Sequence, residues 1–214
     1  QRQGSDGEEM RALGLPAAAI EAALLEALPA RPGRLLDIGT GTGRLLELTA
    51  GRAGAAPDTA LGVDASRAML ALARARLAER GLAQHCAVRQ ADMYRLPIAD
   101  SSFDTVTLQM VLHYAEDPAA VLAEAARVLA PGGRLLIADL APHKRGELLA
   151  RQAHRWPGFD DAQIAGWLGA AGCAPLPART AAMGGEGALE VRLWPATRLP
   201  AAASLSTPAA TEAP

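Results

Sequence analysis

LLDIGTGTGR, residues Leu35 to Arg44, is the stretch on which the fold turns. A short apolar run ends in an acid and enters glycines at alternate positions, Gly39, Gly41 and Gly43, before a helical pattern starts at Arg44. Glycine reaches positive φ at no steric cost, so the turn is tight and a ligand can approach its backbone. Its N–H groups and the start of the following helix would attract an anionic group. The spacing is G-x-G-x-G. The sixth position is Arg44 counted from Gly39 and Leu46 counted from Gly41. The dinucleotide fingerprint G-x-G-x-x-G is therefore not met, nor is a G-x-x-x-x-G-K-[ST] phosphate loop. A nicotinamide-dependent oxidoreductase is disfavoured on that count.

Working outward, apolar runs and helical patterns alternate. LGVD closes a second strand at Asp64, and Ser66 is placed to cap the helix RAMLALARARLAER. AVRQAD (Ala87–Asp92) and FDTVTLQM (Phe103–Met110) read as the third and fourth strands. Asp117-Pro118 opens the helix AAVLAEAARVL, APGG (Ala130–Gly133) makes a turn, and RLLIADL (Arg134–Leu140) is the fifth strand. Asp160 and Gln163 form a capping-box-like start for AQIAGWLGAAG. One or two further strands follow up to Trp194, around a glycine-rich turn at Gly184–Gly187. Upstream, Glu8 to Leu28 has one helical pattern, with Pro16 in a first turn. These repeats predict an α/β fold: a doubly wound, mostly parallel, seven-stranded sheet with helices on both faces. The chain divides into an N-terminal helical segment (1–33), the α/β domain (34–195) and an Ala/Pro-rich tail (196–214) with too little large apolar surface to fold.

Composition narrows the function. The 214 residues carry a formal net charge of −2 and few aromatics. Binding to nucleic acid through this chain is not expected, because that depends on basic patches and stacking platforms. No apolar run is long enough to span a membrane, and the N-terminus lacks the apolar core of a signal peptide. Cys86 and Cys173 are too few for a disulfide framework, which points to a reduced, cytoplasmic setting.

Asp37, Asp64 and Asp92 end three consecutive strands. In a doubly wound sheet, ligands sit beyond the carboxyl ends of the strands. A carboxylate at Asp64 can accept both hydroxyls of a ribose, and one at Asp92 can accept from an exocyclic amine. A helix cap or a solvated turn explains any one of these acids. All three in register with the glycine turn point to a nucleoside site.

LLDIGTGTGR, LGVDAS, QADMYRLPIADSSFDTV and EAARVLAPGGRLLIADL resemble the successive motifs of class I S-adenosylmethionine-dependent methyltransferases, over roughly Ala17 to Trp194. The resemblance implies a Rossmann-like fold and S-adenosyl-L-methionine as cofactor. It implies Asp37, Gly39, Thr40 and Gly41 around the methionine part, Asp64 on the ribose and Ala65 near the adenine. It further implies that Asp92 and the Met93 backbone read the adenine edge and that Gln109 faces the reacting centre. LQMVLHYAEDP, ADLAPHKRGELLARQAHRWPGF and GWLGAAG resemble more narrowly the methyltransferase portion attached to ArsR-like winged-helix repressors. The start at Gln1 then fits a piece of a longer, regulator-fused chain whose missing N-terminal domain would bind DNA. A broader likeness is to quinone-type C-methyltransferases.

The partner is then a small-molecule methyl acceptor. A phenol, carbon acid or amine usually needs a base, worth roughly 10²–10⁴-fold. His113 follows the fourth strand and His143 the fifth, so both are candidate catalytic residues at the sheet's carboxyl edge; His154 lies beyond, in a helix that could fold over it. Histidines also cap helices and brace loops. No metal is assigned, since a site needs a geometry that sequence does not show. Tyr114 suits either a closing or a core role, as do Trp156 and Phe159, while Trp167 reads as core. Lys144, Arg145, Arg151 and Arg155 read as a solvated face. Arsenite methylation through several thiols is disfavoured, because both cysteines read as small buried residues. The alternative of a different class is a sensor of S-adenosylmethionine against its demethylated product, without turnover.

Overall fold

A computed structural model describes residues 10–145, 154–185 and 189–200. After helix α1 (Ala17–Ala27) come β1 (Arg34–Ile38), α2 (Arg44–Ala50), β2 (Thr59–Asp64), α3 (Arg67–Glu79) and β3 (Cys86–Gln90). Then follow β4 (Phe103–Gln109), a 3-10 turn (Leu112–Tyr114), α4 (Pro118–Val128) and β5 (Leu129–Leu140). The chain continues with α5 (Asp161–Ala170), β6 (Cys173–Pro175), β7 (Arg179–Met183) and β8 (Glu190–Arg198).

The sheet order is β3-β2-β1-β4-β5-β8-β6, with β7 also paired to β8. The first five strands run parallel, and β8 turns antiparallel against β5. The order reverses between β1 and β4, and at that point a crevice opens at the carboxyl ends. The fold is the mixed, mostly parallel α/β architecture the pattern predicts, with eight strands rather than seven among the described residues.

The strands are apolar on both faces because both faces are covered. In β5, Leu135 and Ile137 enter the core under α4 and α5, while Leu136, Ala138 and Leu140 enter the one that includes Ile20 and Leu24 of α1 and Leu45 and Leu46 of α2. Ser66, Asp117 and Asp160 each cap a helix, accepting from the N–H three residues on.

Two expectations change. The N-terminal pattern is not one helix: Gly14 takes φ +69° and Pro16 lacks an N–H, so α1 starts afresh at Ala17. Met10, Leu13, Ile20 and Leu24 of the N-terminal segment are buried in the core of the sheet. The last strand does not stop at Pro195 but runs to Arg198, with Ala196 facing Leu135 and Thr197 facing Arg134. Pro195 lies between the pairing with β7, which ends at Leu193, and the pairing with β6, which begins at Ala196, so neither ladder demands an N–H from it. The rest of the predicted tail, 201–214, lies outside the described residues, as does the second half of the Gly184–Gly187 turn.

Candidate active site

The glycine turn is built by contacts with two neighbouring strands. Gly39, Gly41 and Gly43 have φ of +75°, +53° and +74°. At Gly39 a Cβ would stand 2.4 Å from Val111 Cγ2, beyond the end of β4. The Gly39 and Thr40 N–H groups both donate to the Val63 carbonyl (2.8 and 3.0 Å), and Gly43 N–H donates to Thr40 O. Gly41 N–H donates to Asp64 Oδ2 at 2.9 Å. Four of the turn's donors, at Gly39, Thr40, Gly41 and Gly43, are thus engaged by the protein rather than standing ready for an anion. Their work is to lock the turn onto β2.

The three acids step out along adjacent strands, with Asp37 facing Gly62 of β2 and Asp64 facing Gln90 of β3. Asp37 is buried and accepts a hydrogen bond from Thr107 Oγ1 on β4 at 2.7 Å. Asp64, 8% exposed, accepts from Gly41 N–H and, through Oδ1, from Ser66 N–H at 2.8 Å. Asp92 is exposed and accepts from Tyr94 N–H.

A cavity of about 430 Å³ opens beside the turn. Asp37, Gly39, Thr40 and Gln109 line it on the sheet side, and Met10, Arg11, Ala17 and Glu21 on the N-terminal side. Arg44 lies in its wall between Glu21 and Glu47, at 3.2 Å from each. The hydrogen bond to Glu21 pushes the Arg44 guanidinium further above its ordinary value, against the opposing effect of burial, with Glu47 adding to the rise. Thr40 Oγ1 is buried and, among the described residues, has no hydrogen-bond partner. Its side chain fits because β2 carries Gly62, where a Cβ would meet Oγ1 at 2.5 Å.

The cavity gathers only part of the predicted set. Asp37, Gly39, Thr40 and Gln109 line it; Gly41 and Asp64 are outside its lining, hydrogen-bonded to each other, with Gly41 between the lining residues Thr40 and Thr42. Ala65 and Asp92 are exposed outside its lining, and Met93 packs against the α4/α5 core.

His113 and His143 do not line it either. His113 is fully buried in the 3-10 turn after β4, with Nδ1 2.6 Å from Asp139 Oδ1. His143 is half-buried; its N–H donates to Pro157 O, and its Nδ1 accepts from Arg145 N–H at 3.3 Å. What joins the two histidines is the segment 155–157, since the Arg155 and Trp156 N–H groups donate to His113 O. The His154 ring is buried 4.3 Å from that of His113, and Tyr114 stands against both. His154 is not helical here, and Arg151 lies outside the described residues. Trp156, Phe159 and Trp167 form one aromatic cluster in the core, with the Trp156 indole donating to Ala115 O. Lys144 and Arg155 are exposed.

Asp139 and Gly158 carry no role in the sequence reading, yet they hold this region together. Asp139 is the one acidic residue in RLLIADL. Gly158, at φ +85°, passes so close to Ala141 that a Cβ would be 2.0 Å from its carbonyl oxygen. Cys86 and Cys173 are buried at the starts of β3 and β6, on opposite flanks of the sheet. Burial pushes both thiols up, away from the thiolate form. Among the described residues no cluster of His, Cys, Asp and Glu is arranged to hold a metal ion, and no helix is long and apolar enough to cross a membrane.

Residues 36–137 match the family described as "Methyltransferase domain". The chain is similar to a demethylmenaquinone methyltransferase of Thermus thermophilus, 39% identical over 120 residues, covering 56% of this chain and 53% of that one. It is similar to a phosphatidylethanolamine N-methyltransferase of Cereibacter sphaeroides, 36% identical over 121 residues, covering 56% and 57%. The chain spans about half the length of these curated relatives. Among solved structures, geranyl diphosphate C-methyltransferase from Streptomyces coelicolor, in complex with Mg²⁺, geranyl diphosphate and S-adenosyl-L-homocysteine, superposes with a TM-score of 0.71. Its identity is 16%, and the match covers 86% of this chain and 77% of that one. That likeness shows the fold alone.

Proposed function

We propose, from the match of residues 36–137 to the methyltransferase-domain family, that this chain transfers a methyl group from S-adenosyl-L-methionine to a small-molecule acceptor. The observation that carries the reading is the hydrogen bond between Gly41 and Asp64, which joins the glycine turn to the end of β2 beside the cavity lined by Asp37, Thr40 and Gln109. The residues suit such a cofactor. Thr40 offers a buried hydroxyl still short of a partner, and Gly39 and Gly41 keep the turn close to the cavity. Asp37, Gly39, Thr40, Gly41 and Gln109 would hold the methionine end, Asp64 the ribose, and Ala65, Asp92 and Met93 the adenine. When bound, the cofactor supplies a methyl group already activated on a sulfonium centre.

The protein's own share is orientation and proton management. Positioning can be worth about 7–11 kcal/mol in favourable cases. His113 and His143, beyond the ends of β4 and β5, are the groups we assign to take a proton from an acceptor hydroxyl, carbon acid or amine. The broader set of acceptors includes quinols, in keeping with the quinone-pathway relative. Attachment to an ArsR-like repressor, with its DNA-binding domain upstream, is supported by the likeness of residues 108–172 to that group. A cytoplasmic setting is supported by two buried, unlinked cysteines.

Calorimetry with S-adenosylhomocysteine tests the cofactor assignment. Asp64→Ala is expected to weaken binding by about 1–3 kcal/mol, through unpaired ribose hydroxyls and loss of the Gly41 anchor; unchanged affinity overturns it. Thr40→Val separates the two states. Removing an unsatisfied buried hydroxyl is expected to raise Tm, by roughly 2–4 °C for about 1 kcal/mol, while weakening the cofactor by about 0.5–1.5 kcal/mol. Parallel changes in both measurements reject the assignment. A screen of thiols, phenols, quinols and arsenicals with methyl-labelled cofactor then identifies the acceptor. Sensing without turnover is the second reading, favoured by the full burial of His113. Labelled product from any acceptor at multiple turnovers eliminates it.

A further inference from the structure

We propose that Asp139 is a positioning residue for His113, fixing its imidazole as the neutral Nδ1–H tautomer so that Nε2 carries the lone pair. The proposal rests on the assignment of His113 as a proton acceptor but is tested without any substrate. Asp139 ends the apolar run of β5 with no exposure to solvent, and it is fully engaged. Its Oδ1 lies 2.6 Å from His113 Nδ1 and accepts from Leu140 N–H at 2.8 Å. Its Oδ2 accepts from Leu112 N–H at 2.8 Å and from His113 N–H at 3.4 Å. One carboxylate thus holds both the main chain and the ring of His113.

The alternatives in the same place are less favourable. A carboxylate only accepts, so the ring nitrogen facing it must bear the proton. The Nε2–H tautomer would set two lone pairs against each other between two fully buried side chains. His113 is fully buried, and burial penalises the charged imidazolium. A histidine's tautomer is set by the hydrogen bond its other nitrogen makes. The backbone bonds to Oδ2 explain why the acid is rigid enough to do this: they fold the turn Leu112–Tyr114 around it, just after Met110, which takes a positive φ of +52°. If Asp139 were only a brace for this turn, the Oδ2 contacts would suffice and the ring would not need to meet Oδ1.

The test is long-range ¹H–¹⁵N correlation spectroscopy of the ring nitrogens in the chain labelled with ¹⁵N-histidine. The four histidines are assigned by losing signals one at a time in His85→Gln, His143→Gln and His154→Gln, leaving His113. The native chain is expected to show His113 as the neutral Nδ1–H form, with a strongly downfield Nδ1 proton. Asp139→Asn, which can still pair with the backbone N–H groups, is expected to shift His113 toward the Nε2–H form and abolish that downfield proton. Native His113 as the Nε2–H form or as imidazolium overturns the proposal. So does a folded Asp139→Asn chain whose His113 spectrum is unchanged. If Asp139→Asn does not fold, the native spectrum alone decides the tautomer. If the tautomer is found but no acceptor is ever methylated, the methyltransferase reading fails and the tautomer assignment stands.

Discussion

Gly158→Ala is expected to destabilise the protein by about 3 kcal/mol, lowering Tm by roughly 6–12 °C for a domain of this size. Two costs add. A left-handed conformation costs an L-residue about 1–2 kcal/mol, and Gly158 has φ +85°. The new Cβ also meets Ala141 O at 2.0 Å, Ala141 C at 2.4 Å and Leu140 O at 2.9 Å. These are backbone atoms at the end of β5, so no rotamer change relieves the overlap. The chain must lift, and the bonds from His143 N–H to Pro157 O and from Phe159 N–H to Leu140 O lengthen or break. Hydrogen exchange should therefore quicken at His143, Arg155, Trp156 and Phe159 well before the interior of β1 and β4. An unchanged Tm with unchanged exchange would show that this crossing does not hold the region.

The second large effect is expected at Gly39. Gly39→Ala should raise the Kd for S-adenosylhomocysteine at least about tenfold, or about 1.4 kcal/mol. Positive φ and a collision with Val111 Cγ2 at 2.4 Å act together. Val111 is a side chain, which allows the two causes to be separated. Val111→Ala removes the colliding atoms and leaves the backbone strain. In the Gly39→Ala/Val111→Ala chain, affinity is expected to recover in part, and the coupling in the double-mutant cycle measures the collision. Full additivity would mean that Val111 does not bear on the turn. Wild-type affinity in Gly39→Ala alone would remove the turn from the site.

The layout of the parallel half was legible in the sequence because its signals are local. Each of Asp37, Asp64 and Asp92 closes an apolar run, and Ser66, Asp117 and Asp160 announce helix starts within a few residues of themselves. The roles of Asp139, Gly158 and Gly62 were not legible, because each depends on a partner remote in the chain. Asp139 reads as one polar residue in a buried strand until the turn at Leu112–Tyr114 is folded beside it. Gly158 and Gly62 read as ordinary glycines until Ala141 and Thr40 stand against them. The same holds for the candidate site. Strand ends placed Asp37, Thr40 and Gln109 around one cavity, but His113 and His143 owe their positions to the segment 155–157, which returns from beyond β5. Pro195 misled for a related reason, since its cost depends on which neighbour would have needed its N–H.

The place of β8 has a consequence for how the chain is made. It comes from residues 190–198 yet sits inside the sheet, and it is the strand to which β6 and β7 attach. As the polypeptide leaves the ribosome, β5 keeps an open flank until these residues emerge, and β6 and β7 have nothing to join. Unpaired flanks of this kind invite pairing with other chains. A nascent product stalled before Glu190 would therefore present the chaperones of the cell with a sheet that is half-built but already adhesive.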